Sequence, residues 1–89
     1  MILMEKKGNP FKTDKPLYDY NIKYDYSHLP NKLKEYITKF EKYDKDGDWF
    51  NYDMIFPAFD VIAKSYWRDG VITEYDYKIL LRKYGGIYD

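Results

Sequence analysis

The stretch YDYNIKYDY, residues 18–26, restricts the folding of this chain more than any other. Tyr18, Tyr20, Ile22, Tyr24 and Tyr26 take every second position, with Asp19, Asn21, Lys23 and Asp25 between them. On a helix these five apolar side chains would scatter around the cylinder. On extended backbone, with its two-residue repeat, they share one face. Tyrosine also favours strands. The pattern predicts a strand over 17–26 whose aromatic face lies on something apolar. Ahead of it, MILM suggests a short strand. GNPFKTDKP, with Gly8, Pro10 and Pro16, reads as a loop, so 1–16 is an arm with at most a short strand.

Beyond residue 27 the repeat changes to three or four residues. In SHLPNKLKEYITKFEKYD, Leu29, Leu33, Ile37 and Phe40 form one stripe that Tyr36 and Tyr43 widen, which predicts a helix over 28–43. Ser27 or a neighbour caps it, and Pro30 falls in the first turn, where a missing N–H costs nothing. DKDGD, residues 44–48, ends it. NYDMIFPAFDVIAKSYW, residues 51–67, is the most apolar segment and predicts a central helix. Ile55, Ala58, Phe59, Ile62 and Tyr66 share one face, with Met54 and Val61 beside it. Pro57 calls for a kink or a start near that point, because proline cannot bond to the carbonyl of Asp53 and crowds it.

RDGVITEYDYKILLRKYGG predicts a turn and a helix over 73–84. Gly70 suits a left-handed position, Thr73 an N-cap and Asp76 the third residue of a capping box. Ile72 staples Tyr77, and Tyr77, Leu80, Leu81 and Tyr84 face inward. The 89 residues amount to one domain, 1–89. The expected fold is α+β: an N-terminal extended arm with one or two short strands, then three helices in a small bundle.

Fifteen basic and fifteen acidic residues cancel, so the basic excess of a non-specific nucleic-acid binder is absent and nucleic acid is not an expected partner. The lack of cysteine excludes a disulfide framework, a thiolate nucleophile and a Cys-ligated zinc site. MILMEKK has too few apolar residues before its charges for a signal peptide, and no later run reaches membrane-spanning length. A cytoplasmic location, with no membrane partner, is expected. Plentiful Lys, Ile, Tyr and Asn suggest AT-rich coding, as in a low-GC bacterium, its phage or a mobile element.

Asp44, Asp46 and Asp48 alternate as ligands do in an EF-hand calcium loop. The loop template then asks for Gly at position six and Glu at position twelve. Counted from Asp44, those positions hold Trp49 and Ile55. Aligned on Gly47, the first and last positions hold Lys42 and Asp53. These three carboxylates are the ones that would hold a cation if any did; the expectation is an acidic turn without metal, and no cofactor. His28 is the lone histidine, Ser27 and Ser65 lack a triad signature, and there is no Gly-rich phosphate cradle. No enzyme activity is expected.

DGVITEYDYKILLRKYG, the last quarter of the chain, resembles the short C-terminal (SHOCT) domain of many bacterial proteins. Gly70, Ile72, Thr73, Asp76 and Tyr77 match its pattern, while Asp76 stands for the usual Glu and Tyr75 for a common acidic residue. The resemblance implies a small helical interaction or oligomerisation module without catalytic residues.

A strand at 17–26 paired with residues 2–7 would leave one edge open to another chain, including a second copy. Protein-binding surfaces favour tyrosine, which is large, stiff and half polar. Tyr18, Tyr20, Tyr24, Tyr26 and Tyr75 are therefore the candidate partner-binding residues. The competing reading is that the 18–26 rings cover the helices with hydroxyls at the rim. The expected function is a non-catalytic protein-interaction domain, such as a phage or mobile-element inhibitor or immunity-type protein that binds a host protein. Two alternatives stay open: a nucleic-acid-associated regulator with a helix-turn-helix-like hairpin, and a degenerate EF-hand-like module. Against the first, Glu74 and Asp76 would lead its second helix into phosphate repulsion.

Overall fold

Three helices form the frame in the computed structural model, which describes residues 13–85. They are α1 (Asn31–Asp46), α2 (Trp49–Arg68) and α3 (Glu74–Tyr84). Helix α2 packs on both of the others. Among the described residues there is no strand or sheet, and no helix is long and apolar enough to cross a membrane. The architecture is a small, tyrosine-rich helical bundle and not the α+β fold expected.

Residues 17–26 are an arm, not a strand. From residue 21 their alternation is still physical: Ile22, Tyr24 and Tyr26 are half-buried, while Asn21, Lys23, Asp25 and Ser27 are exposed; at 18–20 it fails, with Asp19 half-buried and Tyr20 exposed. A period of two reports which side of a segment lies against protein. It does not report what the backbone bonds to, and here helix groups take the place of a neighbouring strand. The Leu17 N–H donates to Asp44 Oδ1 (2.7 Å) and the Asp19 N–H to the Lys83 carbonyl (2.8 Å). Lys83 Nζ donates to the carbonyls of Ile22 (2.6 Å) and Asp19 (3.3 Å). Without a strand there is no sheet edge at 17–26, so the dimer expected through that edge has no basis in the fold. The strand expected at MILM and the pairing of residues 2–7 lie outside the described residues.

The arm runs antiparallel to α1 and α3. It starts at Thr13, whose N–H donates to the Gly47 carbonyl beyond the end of α1 (2.8 Å). It passes Lys83 near the end of α3, then Asp76 near its start, and turns into α1 at Pro30. Leu17 and Leu29 are its buried apolar anchors.

Helix α1 buries the expected stripe of Leu33, Ile37 and Phe40. It starts at Asn31, not 28, because residues 25–29 form a turn: the Ser27 N–H donates to Asp25 Oδ1 (2.9 Å) and the Leu29 N–H to the Tyr26 carbonyl (3.1 Å). Pro30 is itself the N-cap, and no side chain caps the helix. At the other end Asp44 and Asp46 extend α1 until Gly47, at φ 68°, stops it. Asp48 caps α2 by accepting from the Asn51 N–H (3.2 Å).

Helix α2 continues through Pro57, which lies on an exposed face. There the missing backbone bond does not interrupt the core. Its buried residues are Tyr52, Phe59 and Ala63. Ile55, Ile62 and Tyr66 are half-buried as the expected face requires, but Ala58 is exposed. In α3, Thr73 Oγ1 accepts from the Asp76 N–H (3.0 Å) and Asp76 Oδ2 accepts from the Thr73 N–H (3.1 Å), which completes the expected capping box. Ile72 and Tyr77 are buried, and the Tyr77 ring stacks on Trp67 of α2 (5.0 Å). Phe40 is the hub of the core, with Tyr52 at 4.6 Å, Phe59 at 5.0 Å and Tyr84 at 5.4 Å between ring centres.

Gly47 and Gly70 both hold positive φ, at 68° and 77°. A Cβ on Gly70 would meet nothing within 4 Å, whereas one on Gly47 would collide with the backbone carbonyl of Thr13. Gly70→Ala should therefore cost only the left-handed strain, about 1–2 kcal/mol. Gly47→Ala should cost more, because it also pushes the arm off the end of α1. Thermal melting should rank Gly47→Ala below Gly70→Ala; equal melting temperatures would mean that Thr13 is not docked on Gly47.

Candidate functional site: a tyrosine-lined cleft

The arm's tyrosines turn toward the helices, and helix carboxylates take their hydroxyls. Tyr20 donates to Asp44 of α1, Tyr26 to Glu41 Oε2 of α1 (3.2 Å) and Tyr24 to Asp76 Oδ1 of α3 (2.6 Å). Glu41 and Asp44 stand three residues apart on α1 and so share a face. The Tyr18 ring packs between Tyr20 (5.0 Å) and Tyr84 (5.1 Å), and Tyr84 stacks on Phe40. Rings thus run without a break from the surface to the core.

These elements enclose an open cleft of about 530 Å³. Tyr18, Tyr20, Tyr24, Tyr26 and Tyr84 line it with Ile22, and Lys23, Asp25, Glu41 and Lys83 supply its charges. Lys83 Nζ also lies over the rings of Tyr18 (5.2 Å) and Tyr84 (5.6 Å). Burial lowers its pKa, against the pull of Asp19.

The phenols are all held neutral. The hydrogen bond to Asp44, with burial behind it, pushes Tyr20 up to about 12. Burial and then the bond to Asp76 raise Tyr24 further. Burial, followed by the charge of Glu41, raises Tyr18, Tyr26 and Tyr84. The buried hydroxyl of Tyr84 has no hydrogen-bond partner among the described residues. Such phenols are hydrogen-bond donors and flat apolar faces at neutral pH.

Asp76 ties the cleft to the frame. Burial opposes its ionisation, but the Tyr24 hydroxyl, the Thr73 N–H and His28 together hold its carboxyl below the usual range. His28 Nε2 lies 3.1 Å from Asp76 Oδ1, so this histidine joins the arm to α3 and is more than a surface residue near a cap.

Four of the five tyrosines singled out in the sequence, Tyr18, Tyr20, Tyr24 and Tyr26, meet in this cleft. Tyr75 does not: it is exposed in the first turn of α3. The acidic turn is divided among separate tasks. Asp44 holds Leu17 and Tyr20, Asp46 pairs with Lys42 (3.3 Å) and Asp48 caps α2. Among the described residues no three potential metal ligands gather. The sequence reading missed Glu41, Lys83 and Tyr84 as cleft residues. Glu41 had a signal in its spacing from Asp44, whereas Lys83 looked like any cation in the last turn of a helix.

No protein-family model, no curated protein and no solved structure matches the chain.

The pKa shifts set a pH dependence of opposite sign at the two extremes. Tyr24 and Tyr84 lie above their ordinary 10.0 in the folded chain, so their contribution is complete below pH 10.0 and is lost as pH rises through the folded values. Asp76 lies below its ordinary 3.8, so its contribution is present above that value and is lost as pH falls through the folded one. Melting temperature against pH should fall on both sides. Asp76→Asn should flatten the acid limb and leave most of the alkaline one. An unchanged acid limb in that variant would show that Asp76 is not held as described.

Proposed function

We propose that the chain is a non-catalytic protein-interaction domain of the cytoplasm that takes an arginine-bearing segment of another protein into the tyrosine cleft. The observation that carries this is the lining: five tyrosine rings and the Glu41 carboxylate on one open cleft. Aromatic faces attract cations, guanidinium stacks well on them, and a carboxylate beside them adds charge. The cleft's own Lys83 is bonded to the Asp19 and Ile22 carbonyls and lies over the Tyr18 and Tyr84 rings, so an incoming cation would meet the rings of Tyr20, Tyr24 and Tyr26 and the charge of Glu41, which accepts from Tyr26. Burying tyrosine at an interface also costs little conformational entropy. The likeness of residues 69–85 to the short C-terminal domain supports an interaction role. A phage or mobile-element inhibitor or immunity-type protein that binds a host protein would have this size and surface.

The test is retention of a partner from an extract of the source cell by the immobilised full chain, followed by titration of the purified partner. Tyr20 is 52% exposed, so Tyr20→Ala removes a cleft wall at little cost to the core. Glu41→Gln keeps an acceptor for Tyr26 and removes the charge. Each variant should weaken binding by about tenfold or more while the helical circular dichroism stays as in the parent. Parental affinity in both variants would overturn the proposal.

A further inference from the structure

One buried hydroxyl among the described residues, that of Tyr84, has no hydrogen-bond partner. Tyr84 is fully buried, yet it lines the tyrosine cleft. A buried hydroxyl left unbonded costs stability, so the position calls for a partner. The ring of Tyr18 packs against that of Tyr84, 5.1 Å away between ring centres. Tyr20, Tyr24 and Tyr26 are tied to helix carboxylates, whereas Tyr18 is held by the Tyr20 ring at 5.0 Å and by Lys83 Nζ over its face at 5.2 Å. On the reading that the cleft takes an arginine-bearing segment, we propose that Tyr18 is a gate: its ring turns aside on binding, and a main-chain carbonyl of the segment accepts from the Tyr84 hydroxyl.

The charges around the position select that oxygen. Burial and then the charge of Glu41 raise the pKa of Tyr84, so the phenol stays a donor and Glu41 lies close enough to repel a second anion. Lys83 Nζ lies over the Tyr84 ring as well, at 5.6 Å, and repels a cation there. A neutral acceptor meets both conditions, and every peptide offers one in its carbonyl. The guanidinium stays on the rings of Tyr20, Tyr24 and Tyr26 beside Glu41. The backbone on either side of Tyr18 is fixed, by the Leu17 N–H on Asp44 Oδ1 (2.7 Å) and by the Asp19 N–H on the Lys83 carbonyl (2.8 Å). The Tyr18 side chain therefore turns about its own bonds, from one staggered position to another, while the arm remains docked.

The test is nuclear magnetic resonance titration of the full chain with two probes: n-butylguanidinium, which has no carbonyl, and N-acetylarginine amide, which carries one on each side of its side chain. Tyr84→Phe should weaken binding of N-acetylarginine amide by about tenfold, the worth of one hydrogen bond, and leave that of n-butylguanidinium unchanged. Its melting temperature should equal or exceed the parent's, because phenylalanine leaves no unbonded hydroxyl. Overhauser contacts between the rings of Tyr18 and Tyr84 should vanish on saturation with N-acetylarginine amide and persist with n-butylguanidinium. Equal effects of Tyr84→Phe on both probes, or ring contacts that persist under both, overturn the inference while the arginine reading of the cleft stands. A Tyr84→Phe chain that melts below the parent also overturns it, because the hydroxyl would then be satisfied within the fold by a bound water. Failure of n-butylguanidinium to bind the parent, or equally tight binding to Glu41→Gln, would instead overturn the arginine reading, and the inference with it.

Discussion

The carboxylate of Asp76 lies where the arm, the turn before α3 and α3 itself meet. One oxygen accepts from the Thr73 N–H and fixes the start of the helix. The other accepts from Tyr24 and lies against His28, and so holds the arm on the frame. The residue is only 7% exposed. A carboxylate at that depth is tolerated because donors surround it. A glutamate in the same position would place its oxygens one methylene further out.

The same exchange between phenol and carboxylate recurs through the chain. Tyr20 uses Asp44, Tyr26 uses Glu41, and Tyr77 uses Asp60 (2.7 Å). Tyr52 instead donates to the Tyr84 carbonyl at the end of α3 (2.8 Å). A core of large rings brings hydroxyls with it, and buried hydroxyls favour acceptors, although the Tyr84 hydroxyl has none among the described residues. For four of the others, acidic residues on the three helices serve: Glu41, Asp44, Asp60 and Asp76. Four of the fifteen acidic side chains therefore do more than balance lysine, and the open rings that remain beside Glu41 give the cleft its chemistry.

How much of this could be read from the residues differs from element to element. Leu33, Ile37 and Phe40 carry a plain helical repeat and are buried as it requires. The Thr73–Asp76 cap and the positive φ of Gly70 are set by local geometry and follow from neighbours in sequence. The face of α2 was less legible because that helix is apolar nearly all round; periodicity could not say that Ala58 points outward and Ala63 inward. The arm misled for a different reason. Its alternation correctly gave the half-buried side at Ile22, Tyr24 and Tyr26, but hydrogen bonds to Lys83 and Asp44, from across the chain, decide that it is not a strand. For the same reason the arm's tyrosines in the cleft were visible in sequence, and its Lys83 and Tyr84 were not.

The central claim is that phenol–carboxylate bonds hold the arm on the helices, and a double-mutant cycle between the part-buried pair Tyr24 and Asp76 tests it most directly. Stabilities of the parent, Tyr24→Phe, Asp76→Ala and the double variant would be measured by denaturant unfolding at neutral pH. The account predicts that the single losses overlap, with a favourable coupling of about 1–2 kcal/mol. Losses that add to within about 0.3 kcal/mol would contradict it, because the two groups would then not depend on each other.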